Sequence, residues 1–88
     1  MSCFYVYILY SSSADMYYVG STNDIERRLS EHNRIKGKFT DRGIPWRLVY
    51  KEVFPDRSQA LSRELSIKKM KSRQYIEDLI SRSDRLSR

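Results

Sequence analysis

The stretch FYVYILYSSSADMYYVGS, Phe4 to Ser21, decides the fold. Phe4 to Tyr10 is wholly aromatic, β-branched or leucine, which suits a short strand buried on both faces. Ser11 to Asp15 is polar and reads as a turn. Residues 16 to 21 return to strand composition around Gly20, so the two segments predict a hairpin with a loop of about six residues. In such a hairpin Tyr7 and Tyr18 lie on neighbouring strands.

Downstream, Asn23 followed by Glu26 has the form of a helix cap with its reciprocal partner. Ile25, Leu29 and His32 recur at helical spacing, predicting a helix over about 24 to 33. From Asn33 to Pro45 the chain is polar, broken by Gly37, Gly43 and Pro45 and charged by Arg34, Lys36, Lys38 and Arg42. The segment WRLVYKEVF, 46 to 54, reads as a third strand opened by a core Trp46. Asp56 with Gln59 caps a helix ending near Met70, with Ala60, Leu61, Leu65 and Ile67 as its apolar side. Ser72 caps a last helix, about 73 to 82, carrying Ile76, Leu79 and Ile80 on one face. Residues 83 to 88 offer nothing to bury and are expected to form a disordered tail after a single domain of residues 1 to 82. Two strands, a helix, a strand and two helices make an α+β domain, a three-stranded antiparallel sheet flanked by helices.

With 88 residues there is room for one modest core, since chains of this size bury only roughly 60 to 70% of their surface. The single Cys3 excludes an internal disulfide, and no zinc-site spacing occurs. The apolar start lacks the basic region and cleavage site of a signal peptide, and no apolar run approaches the ~20 residues of a membrane span. A cytoplasmic protein with no membrane partner is expected. The formal charge is +6 and the pI near 9.7, and no Lys or Arg precedes Arg27. A neutral aromatic start followed by a basic remainder is a footprint of polyanion binding, though small basic proteins without such a partner are common.

Glu64 is the most telling carboxylate, because Ala60, Leu61 and Ile67 surround it at helical spacing. A carboxylate beside a buried stripe must be paired, hydrogen-bonded or metal-bound. Pairing with Lys68 one turn on is the plainer alternative. Arg28 and His32 share a helix face that solvent alone could explain, and buried tyrosines are commonly core residues with a satisfied hydroxyl. No phosphate loop, dinucleotide fingerprint or paired-histidine metal motif is present, and Cys3 with His32 is weak support for thiol chemistry.

Taken together, Tyr5-Val6-Tyr7, Tyr18-Val19-Gly20, Arg28 ten residues after Tyr18, His32 and Glu64 resemble the GIY-YIG nuclease superfamily over roughly residues 3 to 80. The resemblance is to its small single-domain bacterial branch, in which a residue such as Tyr5 commonly replaces the first glycine. It implies a GIY-YIG endonuclease fold and a catalytic set of Tyr7, Tyr18, Arg28, His32 and Glu64, with Glu64 holding one Mg²⁺ or Mn²⁺ ion. It further implies hydrolysis of DNA phosphodiesters by water, with Tyr7 as base, Tyr18 positioning and Arg28 neutralising charge. Arg27, Arg34, Lys36, Lys38, Arg42, Lys68 and Lys71 are the expected nucleic-acid contacts, on a monomer. The chain departs from the pattern in lacking an asparagine after Glu64, since its two are Asn23 and Asn33. A nucleic-acid-binding module without cleavage, and a basic protein-interaction domain, are the rival readings.

Overall fold

A computed structural model describes residues 3–34, 37 and 39–86. Strands β1 (Phe4–Ser11), β2 (Met16–Thr22) and β3 (Trp46–Phe54) form one sheet in the order β2-β1-β3. Both pairings are antiparallel. The helices are α1 (Ile25–His32), α2 (Arg57–Met70) and α3 (Arg73–Leu86), with a short 3-10 helix at Phe39–Gly43.

The central position of β1 follows from its composition, since a strand with no polar face must be covered on both sides. Side chains alternate across a strand, so β1 feeds two cores. Val6 and Ile8 join Val19, Ala60, Ile67 and Leu79 beneath α2 and α3. Tyr7 and Leu9 join Trp46 on the other face, against Ile25 and Leu29 of α1. The pairing of β1 with β3 slips between Ile8 and Leu9, whose partners are Tyr50 and Leu48, leaving Val49 as the extra residue of a bulge.

Several local expectations are corrected. The cap of α1 is Asp24, whose carboxylate accepts the Arg27 N–H at 3.1 Å, because the helix begins one residue later than the Asn23–Glu26 pattern suggested. Asn23 instead accepts from the Arg27 guanidinium at 3.3 Å. The hairpin loop is shorter than expected, with Asp15 at a φ of 53°. Arg73 fastens that strained residue, donating to its carboxylate at 2.6 Å and its carbonyl at 2.9 Å. On α2, Leu61 and Leu65 are exposed, and the inward face is Ala60, Arg63, Glu64 and Ile67. That face can be buried because both charges have partners; Arg63 makes a forked contact to Glu52 at 3.0 and 3.1 Å and also reaches Tyr75. Helix α3 continues to Leu86, beyond the expected end at 82, so part of the expected tail is helical. Asp56 and Ser72 cap α2 and α3 as anticipated, through the N–H groups of Gln59 and Tyr75.

The segment after α1 is anchored by Asn33. Its side-chain oxygen accepts the Trp46 N–H at 2.6 Å, and its amide donates to the Trp46 carbonyl at 3.0 Å. Gly43 lies so close to the Trp46 ring that a Cβ there would come within 2.2 Å of it. Asn33→Ala removes both of these hydrogen bonds to the Trp46 backbone, and a loss of about 1–3 kcal/mol is expected, read from urea denaturation.

Candidate active site

The phenol of Tyr7 is the centre of the site, and its ring is almost fully buried at 1% exposure. Its cross-strand neighbour on β2 is Gly20. A Cβ on residue 20 would lie 2.5 Å from the Tyr7 oxygen, so the hydroxyl occupies the space that any other residue would fill. Glycine here lets the tyrosine reach across β2, the outer strand, to the sheet edge. The Tyr7 oxygen lies 3.5 Å from His32 Nε2, at the end of α1. Tyr18, cross-strand from Leu9, stacks on Tyr7 at 6.4 Å and meets the edge of the His32 ring at 4.4 Å.

Burial pushes the Tyr7 hydroxyl above the ordinary tyrosine value. Arg28 opposes the shift, as hydrogen-bond donor and as positive charge, while the negative charge of Glu64 reinforces it. The guanidinium of Arg28 also pairs with Glu31 at 2.9 Å. Four of the five expected catalytic residues, Tyr7, Tyr18, Arg28 and His32, therefore gather on the α1 face of the sheet.

Glu64 arrives from the opposite face. Its neighbour on β2 is Ser21, whose hydroxyl donates to Glu64 Oε1 at 2.6 Å, and Lys68 Nζ lies 2.6 Å from Oε2. The carboxylate is 12% exposed, whereas Lys68 is 47% exposed. Tyr7 and Glu64 approach the edge of β2 from its two sides, and the negative charge of Glu64 reaches the Tyr7 hydroxyl. A cleft of about 380 Å³ opens beside them, lined by Ser21, Asn23, Arg27, Arg28, Arg57 and Leu61 among others. The family model described as GIY-YIG catalytic domain matches residues 3–76. The chain belongs to the GIY-YIG family.

Its relatives are small proteins. A UPF0213 protein of Streptococcus pneumoniae serotype 4 is 38% identical over 82 residues, covering 92% of this chain and 82% of that one. A UPF0213 protein of Haloquadratum walsbyi is 49% identical over 65 residues, 73% of this chain and 72% of its own. The solution NMR structure of a UPF0213 protein from Bacillus halodurans superimposes with a TM-score of 0.57 at 32% identity, covering 90% of this chain and 83% of that one.

The expected nucleic-acid contacts of this GIY-YIG chain fall into three groups. Arg27 lines the cleft beside Arg28. Lys68 and Lys71 line a second cleft of about 280 Å³ further along β2, together with Tyr17 and Tyr18. Arg34 and Arg42 are exposed on the segment after α1, and Lys36 and Lys38 lie outside the described residues. Ser21, the direct partner of Glu64, and Arg57, in the cleft, were not singled out from sequence. The signal for Ser21 was present, since it follows the family glycine directly. Among the described residues no three His, Cys, Asp or Glu side chains gather as a metal site, and no helix is long and apolar enough to cross a membrane.

Gly20→Ala should force the Tyr7 ring out of place in a packed core, lowering stability by about 1–3 kcal/mol and shifting the His32 ring resonances in NMR spectra. A pH dependence follows from the buried phenols. Tyr7 is raised in the folded chain, and Tyr50 is raised to about 12 by burial and by Glu52. A folded chain that keeps these protons while the unfolded chain loses them at ~10 has full stabilisation below that pH and loses it as pH rises through the folded values. Tyr7→Phe and Tyr50→Phe should each flatten the alkaline fall in stability, measured by urea denaturation across that window.

Proposed function

We propose that this protein is a metal-dependent endonuclease that hydrolyses phosphodiester bonds in DNA, using one Mg²⁺ or Mn²⁺ ion. The observation that carries this reading is the meeting of Tyr7 and Glu64 from opposite faces at the edge of β2, with Arg28 acting on the Tyr7 oxygen. A single nearly buried carboxylate with a hydroxyl neighbour fits a hard cation, because Mg²⁺ takes one or two protein carboxylates and completes its shell with water and substrate phosphate. Glu64 would hold it. When bound, the ion supplies the positive charge that polarises the phosphate and makes water more acidic.

The protein's own residues do the rest. Tyr7 rests as a neutral phenol, because burial disfavours its anion more than Arg28 favours it. As phenolate it takes a proton from the attacking water, so the base requires further positive charge nearby to be populated near neutral pH. Arg28 neutralises the charge that develops on the phosphate oxygens. His32 and Tyr18 hold the Tyr7 ring by packing and by the 3.5 Å contact. The lone exposed Cys3 suits a reducing cytoplasm, and the reading takes the protein to act as a monomer.

A second reading has its own observation. Both Glu64 oxygens already have partners in Ser21 and Lys68, as in a structural ion pair, which suits a DNA-binding module without cleavage. Glu64→Gln, Arg28→Ala and Tyr7→Phe, assayed for melting temperature, duplex affinity and nicking of supercoiled DNA with Mg²⁺ or chelator, separate the two. Cleavage chemistry predicts loss of nicking by at least about a hundredfold in folded variants, with DNA affinity of Glu64→Gln equal or tighter. Retained nicking in folded Glu64→Gln would remove Glu64 from the site, and metal-independent DNA binding without nicking in the parent protein would favour the second reading.

A further inference from the structure

The cleft beside Glu64 contains more positive charge than one reacting phosphate requires. Arg27 and Arg28 enter it from α1 and Arg57 from the first residue of α2, and no carboxylate is among the described residues that line it. The charge of Arg28 is shared between Glu31 and Tyr7. The Arg27 guanidinium donates to the neutral side-chain oxygen of Asn23, and among the described residues neither Arg27 nor Arg57 makes an ion pair. The two acidic caps, Asp24 and Asp56, are turned to backbone N–H groups and do not line the cleft. Gathering cations in a concave space without a counter-charge is unfavourable, and an anionic ligand removes the penalty.

The walls narrow the ligand further. Leu61, 45% exposed where its sequence pattern suggested burial, and half-buried Phe4 give the cleft an apolar side. A polynucleotide presents both features, with anionic phosphates separated by sugars that have apolar faces. We propose that Arg27 and Arg57 form a second phosphate site, which holds the backbone phosphate next to the one presented to Arg28 and Glu64, with Leu61 and Phe4 against the intervening sugar. The inference rests on the nuclease reading for the position of the first phosphate. It makes α2 a bridge, with Glu64 at the reacting centre and Arg57, two turns earlier, fixing the strand beside it. Arginine suits the task because its planar fork can engage two phosphate oxygens at once.

The test is duplex binding by the full chain in chelator, where nothing is cleaved, measured over a series of salt concentrations. Each neutralised phosphate contributes about 0.9 to the slope of log affinity against log salt. Arg57→Ala and Arg27→Ala should each lower the slope by roughly one, and Arg57→Lys should recover it. Arg82→Ala removes an equal charge beside Tyr50 and Lys51 of β3, at the opposite edge of the sheet, and should leave the slope at the parent value. An unchanged slope in Arg57→Ala with the parent melting temperature would overturn the site, as would equal drops in Arg57→Ala and Arg82→Ala. Parent protein that binds with the expected slopes and fails to nick when Mg²⁺ is added would defeat the cleavage reading while leaving the phosphate site in place.

Discussion

The structure depends on one constraint, that β1 has no face it can leave to water. A central strand whose residues alternate between Tyr7 and Leu9 on one side and Val6 and Ile8 on the other requires cover on both. Helix α1 and the Trp46 region meet the first need, and α2 with α3 meets the second. The candidate site is a consequence of this arrangement. Two separate cores share one thin sheet, so side chains rooted in different cores can meet only around an outer strand, and β2 is that strand on the Tyr7 side. Gly20 leaves β2 without a side chain where the phenol lies, one residue before Ser21, which holds Glu64 on the other face.

Packing also explains why the fold holds a buried tyrosine beside cations without losing the hydroxyl's proton. The ring of Tyr7 is fixed by Tyr18, Leu9 and Trp46, and burial outweighs the attraction that Arg28 exerts on the phenolate. The same burial that makes the residue rigid therefore keeps it neutral. A group in this position responds strongly to added positive charge, because little water is present to screen it.

Much of this was legible in the sequence, for reasons that differ by element. The strands could be read because β-branched and aromatic runs bounded by polar turns have few other uses, and the Asp56 and Ser72 caps because their side chains act locally. Tyr7 and Tyr18 could be set on neighbouring strands because a hairpin joins them, whereas Arg28 and His32 joined them only through the resemblance to the GIY-YIG superfamily. The errors arose where distant partners decide the outcome. Leu61 and Leu65 looked buried by type, yet α2 turns Arg63 and Glu64 inward because Glu52, Tyr75 and Ser21 await them on other elements. Asn33 appeared as a loop residue, since nothing local shows that it matches the Trp46 backbone thirteen positions on. Arg57 carries no local signal in the sequence, and only the fold places it beside Arg27 and Arg28.

The two charges that α2 turns inward are held differently, and the difference bears on function. Arg63 is gripped by a forked contact to Glu52, with Tyr75 on a further nitrogen, and the groups on both sides of that contact are partly buried. Removing either partner would strand a charge in a poorly hydrated place, so this pair is committed to joining α2 to β3. Glu64 has a hydroxyl on one oxygen and, on the other, a half-exposed lysine. Lysine is a flexible point charge, and here its ammonium end is half-exposed while the carboxylate it meets is nearly buried, so the two halves of the pair are held unequally. Ser21 and Lys68 hold different oxygens of the carboxylate, each at 2.6 Å. Of the two inward charges, Arg63 is locked between α2, β3 and α3, while Glu64 is held by one hydroxyl and one half-exposed ammonium on the side of β2 away from Tyr7 and Arg28.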